Sequence, residues 1–182
     1  MRAAKKIAQN SNLTISYVDW IRRDIHVPRV KMVRPSRGNW AGNALHEALQ
    51  FDRDDRGLSP MVKAFKSHVG RIAHEHRSNW EVYVPGVFTG RMDWDLFTPK
   101  AIQVMEFKWM TDSLPSKPRD VDVRQVAMYG YALSQAFPEH SLWLKIVYFF
   151  GGNRSSRPRI RIFNFKYQNQ LTGIARRLLE RN

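Results

Sequence analysis

Residues 79–109 read NWEVYVPGVFTGRMDWDLFTPKAIQVMEFKW, and the periodicity of this stretch decides the fold class. Trp80, Val82 and Val84 alternate with polar or aromatic neighbours, as the residues of a half-buried strand do. Pro85-Gly86 marks a turn or bend, after which Met92, Trp94 and Leu96 alternate again. Thr98-Pro99-Lys100 turns the chain once more, and Ile102, Val104 and Met105 open a third strand that includes Glu106–Trp109. Three short strands in succession predict a small antiparallel meander, with Asp93 in its second strand.

On either side of the meander the period becomes helical. Ser11 or Asn12 caps an expected short helix to about Arg23, with Tyr17, Val18 and Trp20-Ile21 as its apolar side. Pro28 and Pro35 mark looped chain. A helix is expected near Asn43–Phe51, and a second from about Pro60 to His76, where Met61, Ala64, Phe65, Val69 and Ile72 recur at helical spacing. Thr111–Arg119, with two Pro and two Ser, reads as a loop; Asp120 or Asp122 then starts a helix that ends near Phe137-Pro138. Leu142–Phe150 reads as a buried strand interrupted by Lys145, Gly151-Gly152 as a turn, Ile160–Phe165 as a last strand and Gln168–Arg181 as a closing amphipathic helix. The expected fold is α/β (α+β): a mixed central sheet with an antiparallel meander, flanked by helices. One domain is expected over residues 1–182, with a basic helical region at 1–40, the core at 41–150 and a basic strand and helix at 151–182.

The net charge of +14 is unevenly spread. Residues 1–40 hold nine Lys/Arg against two Asp/Glu, residues 151–182 eight against one, and the middle thirteen of each sign. Basic ends around a neutral centre suit a polyanionic partner, because neutralising phosphates releases counterions. There is no cysteine, which excludes disulfides and thiolate-held zinc or iron–sulfur centres. Any metal must be held by carboxylates, imidazoles, carbonyls and water, a set that suits Mg²⁺ or Mn²⁺. No apolar run approaches the roughly 20 residues of a membrane-spanning helix. The basic start lacks the apolar stretch of a secretion signal, so the expected location is cytoplasmic.

Within the meander, Glu106 and Lys108 stand two residues apart and share a face. A strand register of the usual kind brings Asp93 beside them. Two carboxylates and a lysine on one sheet face fill a core poorly, since unpaired buried charge costs several kcal/mol unless a partner or metal compensates. Such carboxylates can hold a divalent ion, and the lysine can orient or deprotonate a water or stabilise charge on a phosphate. Asp95 shares the face of Asp93 and is the alternative carboxylate if the register differs. Gln125 and Tyr129 lie one helical turn apart, and His46 places an imidazole on a core-facing helix. Glu81 is a supporting carboxylate or an exposed strand residue. His68, His74 and His76 read as a solvated helix end rather than a zinc site. The arginines at 154–161 form either a solvated hairpin or a track for a DNA backbone, and Trp40 and Trp109 either stack on bases or fill the core.

The series Gly42-x-x-x-His46, Gly90-Arg-Met-Asp93, Glu106-Phe-Lys108 and Gln125-Val-Ala-Met-Tyr129 resembles the PD-(D/E)XK nucleases. More narrowly it resembles the RecB-like exonuclease group with its phage and CRISPR-associated relatives. The four motifs stand in the family's order over about residues 42–131. The resemblance implies a restriction-endonuclease-like core and a Mg²⁺- or Mn²⁺-dependent deoxyribonuclease. It favours an exonuclease acting on single-stranded or end-bearing DNA in recombination, repair, phage replication or CRISPR adaptation, with protein partners of a recombination or replication complex. By the same resemblance His46, Asp93 and Glu106 are metal ligands completed by the Phe107 carbonyl, Lys108 is the catalytic lysine, and Gln125 and Tyr129 contact the DNA strand and the site. The chain departs from many relatives in lacking the four cluster-binding cysteines: Val27-Pro28-Arg29 stands where a Cys-Pro-Arg string is expected. The alternatives are a DNA-binding module on a nuclease-like fold without turnover, and a structure-specific or RNA-directed endonuclease.

Overall fold

The structure, a computed structural model, describes residues 11–16, 18–27, 46, 48–49, 59–69, 81–84, 88–151 and 159–180. Its strands are β1 (Ile21–His26), β2 (Glu81–Val84), β3 (Phe88–Arg91), β4 (Trp94–Phe97), β5 (Ala101–Met110), β6 (Ser141–Phe150) and β7 (Arg159–Lys166). Its helices are α1 (Ser59–Val69), α2 (Asp120–Ala136) and α3 (Asn169–Leu179). His46, Ala48 and Leu49 are also helical.

Five strands form a mixed sheet in the order β1-β7-β6-β5-β4, and β2 and β3 form a separate two-stranded sheet. Among the described strands, only β5 and β6 run parallel. A parallel pair needs a crossover, and α2 supplies it. The apolar run of β6 is explained by this position: it lies between β5 and β7, covered on both faces. Ile102, Val104, Leu144, Ile146 and Tyr148 pack with Val123, Val126, Leu133 and Leu171 of α2 and α3 on one face. Met105, Phe107, Val147 and Phe149 pack with Met61, Val62 and Phe65 of α1 on the other. Helices on both faces of a mixed sheet bear out the α/β expectation.

Two expectations are corrected. Residues 18–20 carry no helix and 21–26 form a strand, so the helix expected over 11–23 is absent among the described residues. Its backbone groups bond elsewhere: Ile15 N–H donates to Asp120 Oδ2 (3.3 Å), Asp19 N–H to Gln170 Oε1 (2.9 Å), and the Leu13 carbonyl accepts from Arg124 (2.6 Å). Six residues of β1 then pair antiparallel with β7 along the sheet edge. A periodic apolar side seen locally cannot compete with this pairing, whose partners lie over 130 residues away. The three-strand meander is also divided. The expected first strand forms β2 and pairs with β3, a strand missed in the sequence because Thr89-Gly90 weaken its signal. The chain bends at Met92–Asp93 before β4 pairs with β5. Asp93 therefore sits in the bend and not within a strand.

The helix expected at Pro60–His76 is seen as Ser59–Val69, and that near Asn43–Phe51 at His46, Ala48 and Leu49; the rest of both lies outside the described residues, as do Trp40, Gly42, His74, His76, Gly152 and residues 153–158. No described helix is long and apolar enough to cross a membrane.

Candidate active site

Pairing of Trp94 with Met105 and Asp95 with Val104 sets the register that places Asp93 beside Glu106. The bend turns the Asp93 carboxylate onto the backbone of β5, where Oδ2 accepts from Phe107 N–H at 2.7 Å. Alternation along β5 puts Val104, Glu106 and Lys108 on the face covered by α2, while Met105 and Phe107 face α1. Lys108 Nζ donates to Glu106 Oε1 at 2.5 Å and to Gln125 Oε1 at 3.0 Å. The Gln125 amide nitrogen donates to Glu106 Oε1 and to the Tyr129 hydroxyl, both at 2.8 Å, and that hydroxyl donates to the Arg91 carbonyl at 2.8 Å. Each end of the amide thus has an assigned partner: its oxygen meets an ammonium, and its two N–H groups meet a carboxylate and a phenol oxygen.

Close approach of α2 to β3 requires Gly90. A methyl group there would stand 2.9 Å from the Tyr129 ring and 2.5 Å from the Phe88 ring. Since Tyr129 is fully buried and anchors the end of the network, Gly90 positions it.

The electrostatics follow from burial. Glu106 is 4% exposed, and its Oε2 has no hydrogen-bond partner among the described residues. Burial first, and the Asp93 charge second, push its carboxyl up to about 7 against the attraction of Lys108. Burial alone would lower the Lys108 ammonium, but Glu106 and Asp122 outweigh it and hold the pKa above its usual value. Burial lowers His46, with Glu106 opposing, so its neutral form is favoured. His46 Nδ1 lies 3.5 Å from Asp93 Oδ1. Burial and then the Glu106 charge raise Tyr129 well above an ordinary phenol, so it stays protonated.

His46, Asp93, Glu106, Lys108, Gln125 and Tyr129, expected together from their motifs, are thus brought to one end of β5. Asp95 shares the Asp93 face and is buried with Oδ1 unpartnered among the described residues, but it pairs with Val104, one step further from Lys108. Glu81 is exposed opposite Arg91, and Trp109 packs against the α1-side core. Arg161 is occupied by Asp24 (2.6 and 2.8 Å) and the Pro115 carbonyl (2.8 Å), which makes it part of the fold and not of an open arginine track.

Sequence reasoning missed Asp122, Arg119 and Tyr148. Asp122 is 2% exposed, accepts from Arg119 Nε and the Tyr148 hydroxyl, both at 2.7 Å, and lies 3.9 Å from Lys108 Nζ. The sequence carries a signal for Asp122, since Asp122, Gln125 and Tyr129 stand at helical spacing on one face, but next to Asp120 it reads locally as a helix start.

Among the described residues no group of three or more His, Cys, Asp or Glu side chains gathers closely enough to hold a metal ion. His46 and Asp93 do meet, and beside them Glu106 Oε2 is buried with no partner among the described residues. Leaving such an oxygen without a donor costs about 1–3 kcal/mol, more when charged, and a divalent cation would satisfy it. Carboxylate and imidazole are donor types that a hard cation of the Mg²⁺ or Mn²⁺ kind accepts, although the three side chains are not drawn together as a closed set. No protein-family model, curated protein or solved structure matches this chain.

Proposed function

We propose that this chain is a Mg²⁺- or Mn²⁺-dependent deoxyribonuclease built on a restriction-endonuclease-like core. One observation carries the reading: Asp93, Glu106 and Lys108 converge at the β4–β5 hairpin, with a buried carboxylate oxygen that has no partner among the described residues. The hairpin, the α2 crossover to a parallel β6 and the four-motif series are in keeping with the PD-(D/E)XK resemblance.

Asp93, Glu106, His46 and the Phe107 carbonyl would hold the cation, which when bound lowers the pKa of water and offsets phosphate charge. Lys108 presents an ammonium to the phosphoryl oxygens, where charge builds as water adds to phosphorus and the bridging P–O bond breaks. Gln125 fixes Lys108 against Glu106, Tyr129 fixes Gln125, and Asp122 steadies the ammonium from behind. The products are a phosphate monoester and a hydroxyl end. We infer single-stranded or end-bearing DNA as substrate, the strand being drawn by the surplus charge of +14.

Labelled linear and circular DNA, single- and double-stranded, tests this with Mn²⁺, Mg²⁺ and EDTA. Cleavage that needs the cation and disappears in Asp93→Ala and Lys108→Ala supports the assignment; full activity in both variants refutes it. A second reading, DNA binding without turnover, is favoured by the Lys108–Glu106 ion pair, which already engages the lysine within the fold. It predicts salt-sensitive binding and no metal-dependent cleavage.

A further inference from the structure

On the sheet face opposite the carboxylates, Lys145 interrupts the apolar run of β6. The register sets it in one row between Met105 and Asn164, while Arg23 pairs with Ile162 in the adjoining row. Near the end of α1, His68 approaches the same place, and Gln103 closes it from β5. Together they line a cavity of about 150 Å³. A single water takes roughly 10–15 Å³ of such a space, so a polyatomic group fits.

All five polar groups here can donate: a guanidinium, an ammonium, an imidazole and two carboxamides. No carboxylate lines the cavity among the described residues. The nearest acid in sequence, Asp24, lies on the other face, engaged by Arg161. Lys145 Nζ donates one hydrogen to Gln103 Oε1 at 2.9 Å, which leaves it two more to give, and the Gln103 amide nitrogen is a donor in addition. We propose that this cavity is a second, anion-binding site that takes a phosphate group, separate from the Asp93–Glu106 centre and independent of the nuclease reading. Burial first and Arg23 second lower Lys145, and burial first, then Arg23 and Lys145, lower His68, so repulsion between neighbouring cations adds to the effect of burial. A phosphate dianion would remove that repulsion and accept from several donors at once. The group is supplied either by inorganic phosphate or a mononucleotide, or by the backbone of a bound strand.

The test uses the whole chain in EDTA, so that cleavage plays no part. Inorganic phosphate, a mononucleotide and a short 5′-phosphorylated single strand are titrated at constant ionic strength, with chloride as the reference anion. Binding in preference to chloride should weaken about tenfold or more in Lys145→Met and in Arg23→Ala, and persist in Lys100→Ala, an exposed lysine at the β4–β5 turn. Arg23 lies exposed on the edge strand, so its replacement reads the site even where Lys145→Met disturbs the fold. Competition between phosphate and the strand assigns the group to a nucleic-acid backbone; binding of the small anions alone assigns it to a free phosphate. Affinity unchanged in Arg23→Ala for all three probes, or no preference over chloride, overturns the proposal.

Discussion

Replacing Glu106 by Gln isolates what an uncompensated carboxylate costs at the centre of this fold. The Glu106 side chain is 5% exposed and its carboxyl is raised from 4.5 to about 7, by burial first and Asp93 second. That rise already contains the opposing attraction of Lys108. At about 1.4 kcal/mol per pKa unit, ionised Glu106 costs the folded state about 3 kcal/mol. A carboxyl raised on folding holds its proton longer in the native chain than in the unfolded one. Stability is therefore intact below pH 4.5, falls as pH rises from 4.5 to 7, and stays lower above that. Gln at this position still offers an oxygen to Lys108 and Gln125 but carries no charge. In EDTA the Glu106→Gln protein should match the parent near pH 4.5 and exceed it by about 3 kcal/mol at pH 8, or roughly 6–12 °C in Tm for a chain of this size. Urea and thermal melts followed by circular dichroism from pH 4.5 to 8.5 read this directly. Mn²⁺ should stabilise the parent and not the variant, because only the parent retains the charged ligand. A variant that is no more stable at pH 8, or a difference that does not change with pH, would refute the claim that this carboxylate is strained.

Three further outcomes are expected. Gln125→Leu leaves Lys108, Glu106 and Tyr129 without their shared partner, and should lower unfolding stability by about 1–3 kcal/mol in urea titrations while slowing any cleavage. Gly90→Ala forces the buried Phe88 and Tyr129 rings aside; a loss of about 1–3 kcal/mol should appear in the same titrations, and wild-type stability would show that the rings can give way. Asp24→Asn tests the acid limb. Arg161 foremost, against burial and with help from Arg22, holds the Asp24 carboxyl well below its usual range, so its contribution is present above about pH 4 and lost as pH falls further. The stability gap between parent and variant should shrink in acid, and a gap constant from pH 6 to 2 would exclude the pairing as its source.

Much of the fold could be read from local pattern. The alternation from Ile102 to Lys108, the apolar run of β6 and the helical spacing from Asp120 to Ala136 are signals carried by neighbours in the chain, and those elements stand where expected. Residue chemistry at fixed spacing also exposed the core of the candidate site: Glu106 and Lys108 must share a face two residues apart, and Gln125 and Tyr129 must share one a helical turn apart. What local pattern could not carry was partner choice. Only tertiary pairing made residues 21–26 an edge strand of β7 and split the meander, because those hydrogen bonds join distant residues. Only the bend at Met92–Asp93 and the packing of α2 brought Asp93, Glu106, Lys108 and Asp122 together, since their mutual charge is felt in space and not along the chain. The same holds for Arg23, Lys145 and His68, far apart in sequence and gathered by sheet register alone.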